Sequence, residues 1–235
     1  MTQALHEGSR LAAQLVATLP VGLPGLFNPW KQWCEVDDRS NTNAGPDARL
    51  ARLEAHLSCE PRFLLVGEAP GYQGARYSGL AFTSERLLID GAIPRVARVD
   101  GRLTTRSPRG GSFTEPSATI IWKALYRLRI QEEVVLWNAV QLHPHRDGEP
   151  WTNRTPTPDE LALGAPALKA LLKAFPHAHL IAIGKKAASL LSDIGATPRG
   201  QVRHPANGGA SEFAAGLEAL VRSDGVAGAC KLNTM

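Results

Sequence analysis

Four side chains in this sequence have the chemistry to grip a flat polar ring and orient water beside it, although they lie far apart along the chain. Glu68 follows the apolar run "LLVG", where a carboxylate can orient or activate water, or simply pair with a nearby arginine. Phe82 stands before a helix cap formed by Thr83 and Ser84, where its ring offers either a stacking plate or a hydrophobic staple. Asn138 ends "VVLWN", so its amide is partly buried and needs partners, from backbone or from a ligand with a donor beside an acceptor. His204 precedes Pro205 and is either a capped surface histidine or a donor to a developing anion. Gly67, Pro70 and Gly71 by themselves need shape no more than a tight turn. Singly, each residue has an ordinary structural explanation. Together, a carboxylate, an aromatic plate, an amide and a histidine donor suit a flat heterocycle with an imide edge.

The elements that must bring these residues together follow from apolar spacing. "RFLLVG" (62–67), "EVVLWN" (133–138) and "AHLIAIG" (178–184) read as buried strands, and "GQVRHP" (200–205) as a short fourth. Helices are expected in the first twenty residues and over "PDARLARLEAHL", where leucine recurs every three to four residues behind a first-turn proline. Others are expected over "EPSATIIWKALYRLRI", from Lys185 onward, and from a Ser211 cap to Arg222. Thr157 and Glu160 have capping-box spacing around Pro158, which sets the start of one more. Asp100-Gly101 between alternating residues predicts a hairpin over 95–106. Strands alternating with helices predict a doubly wound α/β fold, a three-layer α/β/α sandwich on a central, mainly parallel four-stranded sheet. Ligands bind such sheets at the carboxyl ends of the strands. "GEAPG", "NAVQLHPH", "GKK" and "HPANGG" all fall there. Between Gly67 and Phe82 the chain also spends four glycines and three aromatics on a long loop at the end of a core strand, and loops of that length are usually functional or disordered.

Composition bounds the rest. The chain has 235 residues, 43% hydrophobic and 20% charged, enough for one domain: a helical region over 1–60, a core over 61–222 and a tail over 223–235. A net charge of +4 is compatible with a polyanionic partner. No apolar run is long enough for a bilayer, and the N-terminus reads as an amphipathic helix and not a signal peptide. Cys34, Cys59 and Cys230 are odd in number and widely spaced, as expected of reduced thiols in a cytoplasm. "GEAPG" lacks the glycine spacing of a dinucleotide fingerprint.

With these motifs in order, the sequence resembles the uracil-DNA glycosylase superfamily from about Phe63 to about Leu220. "GEAPG", "WNAVQLHPH", "NRTPTPDE" and "IAIGKKAASLL" are similar to family 4 enzymes, "GEAPGYQGARYSGLAF" also to the single-strand-selective monofunctional enzymes, and "HPANGG" to the superfamily's histidine-proline motif. The resemblance implies that Phe82 stacks on a flipped-out uracil, that Asn138 reads its imide N–H and 4-carbonyl, and that His204 hydrogen-bonds its 2-carbonyl. It implies that Glu68 and the backbone of Gly67, Ala69, Gly71 and Tyr72 hold the base and the attacking water. DNA would be met by Lys185, Arg203 and the Asn207, Gly208 and Gly209 loop, with Arg154 and Arg109 as further arginine candidates. Two departures stand out. Family 4 enzymes carry an iron–sulfur cluster on four cysteines, so no cluster, metal or cofactor is expected here. Ala69 stands where other branches place a water-activating aspartate or asparagine. The expected protein is a cytoplasmic monomer acting on uracil in single- or double-stranded DNA, with no membrane association. A nucleotide or nucleoside hydrolase, and a non-turnover binder that traps damaged DNA, are the alternatives.

Overall fold

A computed structural model describes residues 2–106 and 110–232 of the chain. In chain order the elements are α1 (Thr2–Ala17), β1 (Leu26–Phe27), α2 (Gly45–Leu57), β2 (Phe63–Gly67), α3 (Ala75–Ser78), α4 (Glu85–Ile89) and α5 (Pro116–Leu128). There follow β3 (Val134–Asn138), β4 (His143–Pro144), α6 (Pro158–Ala174), β5 (His179–Ile183), α7 (Lys185–Asp193), β6 (Gly200–Val202) and α8 (Ala210–Leu232). The four expected strands form one parallel sheet in the order β3-β2-β5-β6. Every residue of β2 and β3 is buried, which requires cover on both faces and gives the α/β/α sandwich. The helices supply that cover: α1 packs on α2 and α6, α5 on α8, and α7 on β5 and β2. Among the described residues no helix is long and apolar enough to cross a membrane.

Several expectations hold in detail. The capping box forms as predicted, with Thr157 accepting from the Glu160 N–H and Glu160 from the Thr157 N–H. The helix then continues through Pro166, because its far half is pinned by buried Ala167, Leu168 and Leu171. The hairpin over 95–106 does not form. Gly101 does turn the chain in the left-handed region (φ 72°), but its arms find other partners. The Asp38 N–H donates to Leu103 and the Thr105 N–H to Val36, while the buried Glu85 carboxylate accepts from Leu103 N, Thr104 N and Phe113 N. A buried carboxylate must be satisfied, and this segment is recruited to do it. A further two-stranded antiparallel sheet, β1 with β4, had no signal in the sequence.

The buried face of α2 carries two arginines beside its leucines. Arg49 and Arg52 donate to the carbonyls of Tyr77 and Ser78, at the end of the long loop that leaves β2. Arg49 also reaches the carbonyls of Pro29 and Gln32 and forms an ion pair with Asp37, both side chains 1% exposed. Removing one member of a buried pair strands the other charge. Asp37→Ala should therefore cost about 3–5 kcal/mol of stability, read as a lower urea midpoint with an unchanged slope.

Candidate active site

A cavity of about 670 Å³ opens beyond the carboxyl ends of β2 and β6. Asn138, at the end of β3, is not in its wall but behind it, beside Pro70, Trp137 and Gln141, and the residues after β5 do not line it. Glu68, Ala69, Gly71, Phe82, His204 and Asn207, all anticipated, line it. The register pairs Gly67 with Asn138, and the ladder continues beyond the strands, since Ala139 N donates to Gly67 O and Val140 N to Glu68 O. Over Gly67 the space is filled from two sides. A Cβ there would fall 2.2 Å from Phe82 Cζ and 2.9 Å from Asn138 Oδ1, so only glycine admits both. Asn138 is 4% exposed, and among the described residues its Oδ1 has no hydrogen-bond partner.

Phe82 reaches this point through an unusual backbone. Its φ of 49° is left-handed, which non-glycine residues rarely adopt, and its carbonyl is held by the Trp122 indole N–H at 3.0 Å. The His204 ring lies 6.1 Å from the Phe82 ring, centroid to centroid. Its Nδ1 accepts from the Ala206 N–H at 3.1 Å, so a neutral ring carries its proton on Nε2. Burial holds the His204 pKa below its usual value against the opposing pull of Glu68, which keeps the ring neutral at pH 7. The Glu68 carboxylate pairs with Lys186 Nζ at 3.1 Å, and Lys186 also donates to Thr155 Oγ1, so three rim segments are tied together.

The remaining predicted residues are placed as follows. Lys185 is exposed at the first position of α7, one residue before the lysine that pairs with Glu68. Arg203 pairs with Glu212 and donates to the Asn207 carbonyl, so it shapes the loop that holds Asn207 (φ 53°) and Gly208 (φ 78°). Gly209 lies against the His204 carbonyl, 2.2 Å from where a Cβ would be. The structure does not bring the Tyr72 ring into the cavity: it packs edge-on to Phe113, and only its N–H contributes, donating to Asn153 Oδ1. Arg154 is a wall and not a free cation, since it grips Glu160 through both terminal nitrogens. Arg109 lies outside the described residues. Of the lining residues not singled out in the sequence, two carry polar side chains that matter to the chemistry, Glu115 and Asn153. Asn153 opens the "NRTPTPDE" stretch that carries part of the resemblance but was given no role there, and Glu115, just before a helix-starting proline, reads as an ordinary acidic first-turn residue.

The family 4 resemblance raises the question of a cluster. Fe–S ligation takes four cysteines, and the chain has three. Cys34 is buried beside Arg76 and Glu35, and burial pushes its thiol pKa up, away from the thiolate a metal needs. Cys59 lies after α2, and its pKa is raised by burial too. The donor set does not fit a cluster.

Sheet, glycine-floored rim and neutral histidine define a three-layer α/β protein with its site at the strand ends. The sequence profile of the uracil DNA glycosylase superfamily matches residues 55–221, and the chain belongs to that superfamily. Among solved structures it is similar to wild-type SMUG2 of Pedobacter heparinus, with a TM-score of 0.62 and 14% identity over 94% of this chain and 98% of that one. At that identity the likeness establishes the fold. No curated protein sequence matches the chain.

The buried histidines behind the site make stability depend on pH. Burial, with Arg95 beside His56 and Arg76 beside His143, pushes both pKa values down to about 3. Below the unfolded value of about 6.5 the unfolded chain takes up protons that the folded one refuses. Each site then removes up to about 1.4 kcal/mol per pH unit as pH falls. Glu115 acts in the opposite sense: burial raises it to about 7, so it binds a proton on folding between there and the ordinary carboxyl value of 4.5. Urea midpoints should therefore decline gently from pH 6 to about 4.5, where Glu115 offsets one histidine, and steeply below. Midpoints that stay level down to pH 4 would show these rings to be open to solvent.

Proposed function

We propose that this protein is a monofunctional uracil-DNA glycosylase, which takes uracil extruded from DNA and hydrolyses its N-glycosidic bond. The observation that carries this reading is the unpartnered Oδ1 of Asn138, buried beside Gly67 and the Phe82 ring. A buried acceptor left empty costs about 1–3 kcal/mol, and an imide N–H is the donor that fills it. The same amide then gives its N–H to the neighbouring 4-carbonyl. Phe82 supplies the stacking plate. The neutral His204 has its proton on Nε2, ready to meet the charge that grows on the 2-carbonyl as the base departs. The sugar becomes oxocarbenium-like, and water held near Glu68 and the 67–71 backbone completes the hydrolysis. Lys185 and the loop of Asn207, Gly208 and Gly209 face the DNA, and Arg203 stiffens that loop. On this reading the whole chain acts as one catalytic unit, a cytoplasmic monomer without a metal or cofactor, on single- or double-stranded DNA.

The direct test is incubation with oligonucleotides bearing each deaminated base, followed by alkaline cleavage, with free deoxyuridine alongside. Cleavage at uracil in the oligonucleotide and none of the nucleoside is expected; the reverse identifies a nucleoside hydrolase, and an SDS-resistant adduct without turnover a trapping binder. His204→Ala should slow single-turnover excision about 10²–10³-fold, as loss of an oxyanion donor does, with DNA affinity nearly unchanged.

Asn138→Asp tests the choice of base. Cytosine presents an amino donor and an unprotonated ring nitrogen to this amide, so the wild-type site opposes both bonds. The aspartate keeps the shape, loses the N–H donor and offers an acceptor to the cytosine amino group. The variant should cut uracil poorly and acquire weak activity on cytosine, most of all when unpaired or mispaired. A folded variant with the wild-type ratio of uracil to cytosine cleavage would falsify this role.

A further inference from the structure

Hydrolysis leaves one demand that none of these residues meets. The attacking water must lose a proton, Ala69 has no group to take it, and the Glu68 carboxylate is held by the Lys186 ammonium. The cavity contains a second carboxyl. Glu115 occupies the cap position of α5, yet its side chain makes no capping hydrogen bond. It turns into the cavity, over the backbones of Gly71 and Gly74. A Cβ at Gly74 would fall 1.7 Å from Glu115 Oε2, and one at Gly71 would fall 3.8 Å from Oε1 and from Asn153 Nδ2. Two glycines thus make the seat, and within it Oε2 is buried with no hydrogen-bond partner among the described residues. An acid kept in such a place costs stability unless something uses it. Asn153 is fixed in turn, its Oδ1 taking the Tyr72 N–H and lying 3.2 Å from His143 Nε2.

We propose that Glu115 is the catalytic base of this site, its carboxylate taking the proton of the water that attacks the sugar. The inference rests on the glycosylase reading above. As the C1′–N1 bond breaks, its electron pair leaves with the uracil ring, whose 2-oxygen meets the His204 Nε2–H. The water oxygen forms the new bond to C1′, its proton passes to Glu115, and Glu115 releases that proton to solvent. Burial alone raises the Glu115 pKa to about 7, where a base is strong enough to act and still largely ionised just above neutrality. The charged or titrating groups facing the same cavity are Glu68, Arg154 and His204. Lys186 neutralises the first and Glu160 the second, and His204 titrates below its usual range.

The test is the pH profile of single-turnover uracil excision from a single-stranded oligonucleotide. The wild-type rate should rise through a midpoint near 7. Glu115→Gln should lower the plateau by about 10²–10³-fold, within the range of general-base losses, and abolish that midpoint while DNA affinity is kept. Gly74→Ala keeps the carboxylate but displaces it, and should slow excision while the midpoint remains. If the glutamine variant does not fold, the alanine variant decides: a wild-type rate there overturns the proposal. So does a folded Glu115→Gln that excises within a few-fold of wild type with the midpoint intact, and in that case the glycosylase reading stands. A wild-type protein that releases uracil from no oligonucleotide sinks the glycosylase reading itself.

Discussion

Everything at the rim depends on how closely two strand ends can approach one aromatic ring at Gly67. The parallel register sets Gly67 beside Asn138, and two further backbone hydrogen bonds keep the chains together for another two residues. That places an amide next to a bare Cα. The missing side chain is then the space into which Phe82 fits. Any larger residue would have to push away either the ring or the amide. The fourth segment arrives by similar means. Gly184 (φ 90°) ends β5 with its N–H on the Val202 carbonyl, and its open face lies 3.4 Å from His204 Cβ, measured from an added Cβ. The site is built where side chains have been withheld, and the reactive groups come in from neighbouring segments.

The sheet and most helices were legible in the sequence because period and burial suffice to specify them. The stretches 63–66, 134–137 and 180–183 are apolar throughout, as strands covered on both faces must be. What was not legible is which polar groups the loops choose as partners. The spacing of "ARLARLEAHL" announces a helix, but it does not say that Arg49 and Arg52 face inward to hold the carbonyls of Tyr77 and Ser78. Asp100-Gly101 promised a hairpin, and the buried carboxylate of Glu85, eighteen residues before Leu103, claimed its second arm instead. Lys185 and Lys186 differ by about 100° around a helix, so choosing between them needs the direction of Glu68, which no local pattern contains.

The candidate site divides along the same line. Glu68, Phe82, Asn138 and His204 could be singled out because each breaks the expectation for its own segment. Asn153, Arg154 and Glu115 do not break any. Arg154 looks like a solvated loop arginine until the capping-box glutamate, Glu160, proves to be its partner. Glu115 looks like an acid favouring a helix N-terminus until its carboxyl is seen lying on two glycines.

The left-handed backbone of Phe82, clamped by Trp122, has a consequence for how a target would be found. The ring is also 6% exposed and packed against Gly67, so it has little rotamer freedom to lose when a base arrives. The rearrangement then falls on the nucleic acid alone, which must open a pair and break its stacking before anything can be received. On the glycosylase reading, such an enzyme samples the breathing of the duplex. Its encounter rate follows the lifetime of the closed base pair, and a wobble-paired uracil is met sooner than one in a Watson–Crick pair.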